Sequence, residues 1–494
     1  MANLKFKCTN FGGCTKADKK EIVEIAPGEE PLCPECEKRL FPANPPAAGT
    51  PGWVKALLGV TLLLAVAIGG WWATRPDGKP PEPERKQDGP KPDASPVVRL
   101  KGSNTVALAA ATLAEEFIRS KGGSPQRTAG PGPNETRISG GAVAFEIQGN
   151  GSDSGFAALG AGQADIAMSS RKIRAAEVDS LKALGDLASN ASEKVVALDV
   201  VVAAVHPSNG AATLSEADAA KLLSGETRQW PGGPAARVHS RAPGSATRDF
   251  AATRLLKGGA IAADAVSAAS SEALDAAVAA DPGGIAFLSR AFVSKSKAIP
   301  MAAATSLRQE TEADPWTRRL YFYIPANASP QAREFDEFAR SKPAQKKLEE
   351  LRFVGQTPEV VPPPVLPVNP PPPPEYTGLA SSSERITIDL RFRYASRELD
   401  SKALDDLGRI VEILKDPKYA GRHIVLIGFA DSSGNPAANL VLSKDRAAAV
   451  ADELRRRGIQ PAVITGFGAS LPVAPNDTEE GREKNRRVEV WLRK

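Results

Sequence analysis

The sequence predicts a multidomain α/β protein attached to one membrane helix, and three observations point there. From Val97 to Gln356, and again from Glu384 to Lys494, helical apolar periodicity alternates with short apolar strand segments, as in sheets covered by helices. Ala56 to Ala73 is an apolar run without a charged residue. Two proline-rich blocks, residues 74–96 and 357–383, punctuate the chain after that run. With 494 residues the chain has room for two or three domains.

Composition sets further limits. Lys and Arg number 63 against 58 Asp and Glu, and the two signs are interspersed, so the net charge of +5 gives no basic face for nucleic acid. All four cysteines precede the apolar run and none comes after it. Thiols on one side and a cysteine-free stretch on the other suit a reduced cytoplasm and an oxidising exterior.

Taken in order, residues 1–40 read as a metal-binding knuckle. Cys33-Pro34-Glu35-Cys36 is a CxxC, and Cys8 and Cys14 form a looser pair around two glycines. Four thiolates on two turns can close a tetrahedral zinc site, and so short a segment needs such a staple to fold. The pattern resembles a zinc ribbon, which implies a structural zinc ion on Cys8, Cys14, Cys33 and Cys36. Two disulfides or a redox-active CxxC are the competing readings, although no βαβ pattern surrounds the CxxC as a thioredoxin-like site requires.

Residues 41–54 lead into a transmembrane helix over residues 55–73. At ~1.5 Å per residue the apolar run spans about 27 Å, near the hydrocarbon thickness of a bilayer. Lys55 and Arg75 flank it, and Trp53, Trp71 and Trp72 stand where interfacial aromatics belong. A cleaved signal peptide is the rival reading, because Ala67-Ile68-Gly69 is small-x-small, but the stretch ahead of the run far exceeds a normal n-region. Residues 74–96 are charged and proline-rich without apolar periodicity, and read as a solvated linker.

Residues 97–356 should form an α/β domain. Ala109–Arg119 and Asp336–Leu351 have helical patterns, and Ala144–Ile147, Val195–Val205, Gly284–Leu288 and Leu320–Ile324 read as strands. Four polar loops lie where a strand hands over to a helix. They begin at Gly102-Ser103-Asn104-Thr105, Gly149-Asn150-Gly151-Ser152, Ser169-Ser170-Arg171 and Arg241-Ala242-Pro243-Gly244-Ser245-Ala246-Thr247. One such loop is an ordinary helix cap, whereas several in one domain suggest an oxyanion pocket, because free N–H groups and the helix dipole favour negative charge.

The runs LKGSNTVA, IQGNGSDSGFAALGAGQADIAMSSRKI, LSGETRQW, RAPGSATRDF, DPGGIAFLS and RRLYFYI resemble the substrate-binding proteins of phosphate ABC transporters. The resemblance implies two α/β lobes that close over phosphate or a related oxyanion, with Thr105, Ser152, Arg241, Ser245 and Thr247 as contacts. The family's glycine in RxxGSGT is Ala246 here, and its proton-accepting aspartate aligns with Ser170.

Residues 357–383 read as a second linker, reaching ~70–80 Å if extended as polyproline. Residues 384–494 begin with an alternating strand, Ile386 to Phe392. Helix Ser401–Leu414, strand Ile424–Phe429, helix Ser443–Arg457 and strand Val488–Leu492 come next, a β-α-β-α-β order. The motifs Gly428-Phe429-Ala430-Asp431, Ser443-Lys444-Asp445-Arg446-Ala447 and Asn485-Arg486-Arg487-Val488-Glu489 resemble the OmpA-like peptidoglycan-binding domain. That resemblance implies that Asp431 and Arg446 bind the diaminopimelate of the wall peptide, and the chemistry agrees: a carboxylate meets the ammonium and a guanidinium the carboxylate.

Together these features describe a single-pass protein of the bacterial inner membrane, N-terminus in the cytoplasm and the bulk in the periplasm. An ABC transporter or a cytoplasmic signalling protein is the expected partner class. His206, His239 and His423 are scattered and no nucleophile–base pair can be assembled, so the expectation is a binding protein rather than an enzyme. A structural tether whose middle domain has lost its ligand, and a phosphatase-like enzyme, are the alternatives.

Overall fold

The computed structural model describes residues 4–7, 16, 21–25, 32–36, 40–42, 95–302, 312, 314–363, 371–393, 396 and 398–494. They fall into two compact units, Met1–Lys91 and Pro92–Lys494. In the first, β1 (Leu4–Lys7) pairs antiparallel with β2 (Ile22–Ile25) and with β3 (Phe41–Pro42). Val23, Cys33 and Leu40 form its small apolar cluster, with Cys36 packed against it. The expected transmembrane helix, nearly all of the linker 74–96, and Cys8 and Cys14 lie outside the described residues. Among the described residues no helix is long and apolar enough to cross a membrane, and no cluster of His, Cys, Asp and Glu could hold a metal ion.

The second unit opens with β4 (Val97–Gly102), α1 (Asn104–Ser120), β5 (Gln126–Ala129), β6 (Glu135–Ser139), β7 (Ala144–Gly149), α2 (Ser152–Gly160), β8 (Ile166–Ser169) and α3 (Ala175–Ser180). The long strand β9 (Glu193–Val205) leads into a second lobe. That lobe holds β10 (Leu214–Ser215), α4 (Glu216–Ser224), β11 (Arg237–Arg241), α5 (Ala246–Leu256), β12 (Val266–Ala268), α6 (Ser271–Ala280), β13 (Gly284–Ser289), β14 (Lys297–Ile299) and β15 (Met301–Ala302). The chain returns to the first lobe through β16 (Thr317–Tyr323), α7 (Pro330–Ala339) and α8 (Lys342–Glu350).

Among the described residues one sheet runs through both lobes in the order β12-β11-β13-β9-β16-β8-β4-β7-β6-β5, with β14 also paired to β9. The spine is β9: Glu193–Val200 pairs with β16, and Val201–Val205 pairs with β13. Covered on both faces, β9 is buried from Val195 onward, which is why its sequence is almost continuously apolar. The exception is Asp199, placed where β9 changes partner. Separate apolar cores fill the lobes, one around Leu100, Phe145 and Phe335, the other around Val201, Trp230 and Trp316. The single helix expected over Asp336–Leu351 is two helices. Ser341 starts α8 and Pro343 lies in its first turn, where its missing N–H costs nothing, whereas inside one continuous helix it would break the ladder.

The C-terminal domain consists of β17 (Val360–Val361), α9 (Pro374–Ser381), β18 (Ser383–Arg391), α10 (Ser401–Leu414), β19 (His423–Gly428), α11 (Pro436–Arg456), β20 (Val463–Gly466), α12 (Glu479–Asn485) and β21 (Arg487–Arg493). Its sheet order is β17-β18-β21-β19-β20. Helices α10 and α11 cover one face through Leu407, Ile410, Val450 and Leu454. A Cβ on Gly428 would come within 2.0 Å of the Ser443 carbonyl, so only glycine lets α11 lie this close to β19.

The second linker is not an extended tether. Val360–Val361 pairs with β18, and α9 packs Tyr376 and Ala380, four residues apart on one helical face, against Phe429 and Trp491 on the sheet's other side. Proline at the start of α9 suits the first turn of a helix, and the apolar face left bare by α10 and α11 supplies the burial. Of the residues expected to span ~70–80 Å, only 364–370 lie outside the described structure.

The two-lobed domain and the C-terminal domain also meet directly, through charges that are buried or half-buried. Arg319 Nη1 binds Asp400 at 2.5 Å, Lys402 binds Glu312 at 3.0 Å and Lys172 binds Glu483 at 2.7 Å. Lys484 Nζ donates to the carbonyls of Asp314 (2.5 Å) and Thr317 (2.7 Å). Burial pushes the Glu312 carboxyl up, but Arg319, Arg391 and Lys402 together outweigh it and hold it well below the carboxylate range.

Candidate functional site

Helix starts from both lobes converge on the junction of β9 and β16. Thr105 stands in the first turn of α1, Ser152 opens α2, Ser170 follows β8, Arg241 ends β11, and Ser245 and Thr247 begin α5. All six are buried. Ser103 Oγ donates to Ser170 Oγ at 3.1 Å, and the Ser170 N–H donates to Ser152 Oγ at 3.1 Å. The loop tips of the two lobes touch: Gly151 has φ of +105°, and a Cβ there would lie 2.9 Å from the Gly244 carbonyl. Ser245 is the N-cap residue of α5 yet its hydroxyl makes no cap bond, whereas Ser103, Ser215, Ser270 and Ser329 all cap their helices. That hydroxyl remains available to a ligand.

The central cation opens the run RRLYFYI but is not among the contacts expected from the sequence. Arg318, on β16, donates from Nη2 to Thr105 Oγ1 (3.3 Å) in one lobe and to Thr247 Oγ1 (2.7 Å) in the other. Its Nε and Nη2 bind Asp199 Oδ2 at 3.0 and 2.9 Å, and the Ser289 hydroxyl also donates to Asp199. Burial raises the Asp199 carboxyl above its ordinary range against the pull of Arg318. Arg318 Nη1 has no hydrogen-bond partner among the described residues. Beyond its place in that run, its signal in the sequence is a charge, like Asp199 on β9, in a strand built to be buried.

Arg241, the charge expected to meet the oxyanion, is held differently. Its Nη1 donates to Ser271 Oγ (3.0 Å), and its Nη2 donates to Asn104 Oδ1 (2.9 Å) and the Ala269 carbonyl (3.0 Å). Only Nε lacks a partner among the described residues. The bond to Asn104 crosses from the second lobe to the first, so Arg241 latches the two lobes together. Burial lowers its pKa, with Glu272 pulling the other way. Arg171, next to the serine that replaces the aspartate, is engaged by Glu177 at 2.6 Å and by Asp153.

In the C-terminal domain, Asp431 follows β19 and Arg446 lies mid-way along α11. Asp431 Oδ1 accepts from the Ser433 N–H at 2.8 Å, and Oδ2 accepts from Arg486 Nη1 at 3.0 Å. Asn439 Nδ2 donates to the carbonyls of Asp431 and Ser433 and fixes the loop. Burial raises the Asp431 carboxyl, but Arg486 and the Ser433 N–H more than offset this and hold it below its ordinary value. Arg446 is 1% exposed, lies over the Phe392 ring at 5.4 Å, and has no partner for Nε or Nη1 among the described residues. Burial, reinforced by Arg486 and opposed by Asp431, pushes it down to about 10. Arg486 sits within a legible motif, but its role as the partner of Asp431 emerges only from the fold.

Residues 391–486 match the OmpA family. The chain is 41% identical over 86 residues to the peptidoglycan-binding protein ArfA of Mycobacterium tuberculosis, covering 17% of this chain and 26% of that protein. It is 34% identical over 108 residues to outer membrane porin F of Pseudomonas fluorescens, covering 22% of this chain and 32% of the porin. The chain thus spans about a third or less of the length of these two relatives. An ABC-type phosphate transport receptor from Vibrio cholerae aligns with 52% of this chain and 99% of its own, at 23% identity and a TM-score of 0.39. Residues 89–342, more than half of the sequence, match the PBP superfamily domain, and the chain belongs to that superfamily.

Proposed function

We propose that this protein binds a tetrahedral oxyanion, phosphate or a relative of it, between the lobes of its PBP-like domain and attaches through its OmpA-like domain to the diaminopimelate peptide of peptidoglycan. The observation that carries the reading is Arg446, a buried guanidinium with two unpartnered nitrogens, among the described residues, beside Asp431. A buried cation without a counter-ion is costly, and a ligand carboxylate removes the cost while Asp431 takes the ammonium. ArfA is named for peptidoglycan binding, in keeping with this assignment. In the cleft, the unengaged Ser245 hydroxyl and Arg318 Nη1 offer donors, and no carboxylate stands at Ser170 to accept a proton from the ligand. Fully deprotonated anions should therefore bind as well as phosphate.

Ala56–Ala73 anchors the chain in the inner membrane, with the cysteines in the cytoplasm and both ligand domains in the periplasm. The four cysteines hold one structural zinc ion; support comes from the β1–β2 pair, which leads into Cys8, and from the turn at residues 34–36, which buries Cys33. The protein acts by binding, with no chemistry on its ligands. A tether without a ligand is the second reading, and the engagement of both terminal nitrogens of Arg241 favours it.

Calorimetry of the full-length chain with phosphate and sulfate should show binding of both; binding of neither leaves the tether. Sedimentation with isolated diaminopimelate-type sacculi should be lost in Asp431→Ala. Metal analysis should find about one zinc per chain, removed by Cys33→Ser.

A further inference from the structure

A cavity of about 310 Å³ opens where the oxyanion cleft meets the OmpA-like domain. Ser170, Ala246 and Arg318 line its inner side, and helix α12 closes the outer side with Glu480, Glu483 and Lys484. Most charges on its wall are already engaged. Glu483 holds Lys172, and Lys484 holds two carbonyls. Glu479 binds Arg482 at 2.8 Å and Arg486 at 2.7 Å. Four arginines of the wall, Arg171, Arg318, Arg319 and Arg391, each keep one unpartnered nitrogen among the described residues, and of these Arg318 is the one that also bonds hydroxyls of both lobes. Arg318, 6% exposed, has Nη1 unpartnered among the described residues. Glu480 is exposed and makes no ion pair among them.

We infer that this cavity takes a monoester of the oxyanion whose substituent carries a positive charge, with the oxyanion on Arg318, Ser170 and the N-terminus of α5 and the cation on Glu480. The inference rests on the oxyanion reading above and names the class of its ligand. Size supports it: sites for small organic molecules begin at ~300 Å³, whereas a bare tetrahedral anion needs the room of only a few waters at ~30 Å³ each. The amphoteric wall supports it too, since buried donors at one end and a carboxylate at the other match a zwitterion. A roomier groove of about 800 Å³ borders α8 and α10, but its Arg340 is already held by Asp336 and Asp405. Because α12 belongs to the OmpA-like domain, the bound ester would touch both domains.

Titration calorimetry of the full-length chain with inorganic phosphate, glycerol 1-phosphate and O-phosphorylethanolamine tests this. The amino ester should bind about ten-fold more tightly than the other two, the size of one charge-assisted contact. Glu480→Gln should bring it level with glycerol 1-phosphate while phosphate affinity stays within about two-fold. Equal affinity of the two esters, or a preference that survives Glu480→Gln, overturns the ligand class and leaves the oxyanion reading standing. Failure of all three probes to bind removes the oxyanion reading, and this inference with it.

Discussion

Arg318 in the cleft and Arg446 in the OmpA-like domain are both buried guanidiniums at the proposed ligand positions, and the fold treats them in opposite ways. Arg318 is matched within the protein: Asp199, its cross-strand neighbour on β9, accepts two of its hydrogen bonds, and one hydroxyl from each lobe accepts another. Arg446 is matched by nothing so direct among the described residues, because Asp431 is held by Arg486 and Arg446 itself lies against a ring face. A neutralised cation costs little when the cleft is empty and offers one leftover NH2 group, so the proposed oxyanion would be gripped through few direct bonds. An unmatched cation destabilises the empty domain and returns that energy when a carboxylate arrives.

The comparison is broken most directly at Asp199. Asp199→Ala strands Arg318 inside both lobes, and breaking a buried pair from one side costs roughly 3–5 kcal/mol. Urea denaturation should show a loss of that order; a change under about 1 kcal/mol would mean that Arg318 needs no counter-ion.

Lys484 is a third buried cation, bonded to carbonyls at the domain junction, and burial with Arg391 and Arg254 nearby pushes it down to about 7. Its folded pKa lies below the unfolded one, so between about pH 7 and about pH 10.4 the unfolded chain holds a proton that the folded chain has shed. Stability must therefore rise with pH across that window, by up to about 1.4 kcal/mol per unit, and level off below pH 7. Lys484→Met should lose this slope, so its stability relative to wild type falls as pH is raised from 7 to 10. Parallel curves for the two proteins would show that Lys484 stays protonated throughout.

Arg446→Met sharpens the contrast from the other side. Replacing an unmatched buried charge by an apolar side chain should leave stability unchanged or raise it by about 1–4 kcal/mol. The same change should weaken sacculus binding by about a hundred-fold, since it removes a charge-assisted contact worth roughly 1.5–3 kcal/mol. A variant that melts earlier yet still binds would reverse both assignments.

The smallest effect tests which arginine meets the oxyanion. Arg318→Lys keeps the charge beside Asp199 but removes the forked donors, and should weaken oxyanion binding by about ten-fold. Arg241→Lys, which touches the interlobe latch, should cost less. Equal losses in calorimetry would place Arg241 at the ligand after all.

The sequence by itself determined the local elements and the motifs. Apolar periodicity placed β9, β13, β16 and α10 within a few residues, because a strand or helix buried on known faces must write its spacing into the chain. The hydroxyls at Thr105, Ser152, Ser170, Ser245 and Thr247 were legible as helix-start chemistry, and Asp431 and Arg446 as a motif. Only the tertiary structure decided which charges have partners. Arg318 meets Asp199 across a pairing of strands far apart in sequence, Arg241 closes a latch to the other lobe, and Asp431 is shared with Arg486. It also decided that residues 371–383 are part of a domain rather than a tether, since α9 is held by an apolar face assembled from β19 and β21. Spacing along a chain records which residues avoid water; counter-charges are chosen by register and packing, and those exist only once the strands have found each other.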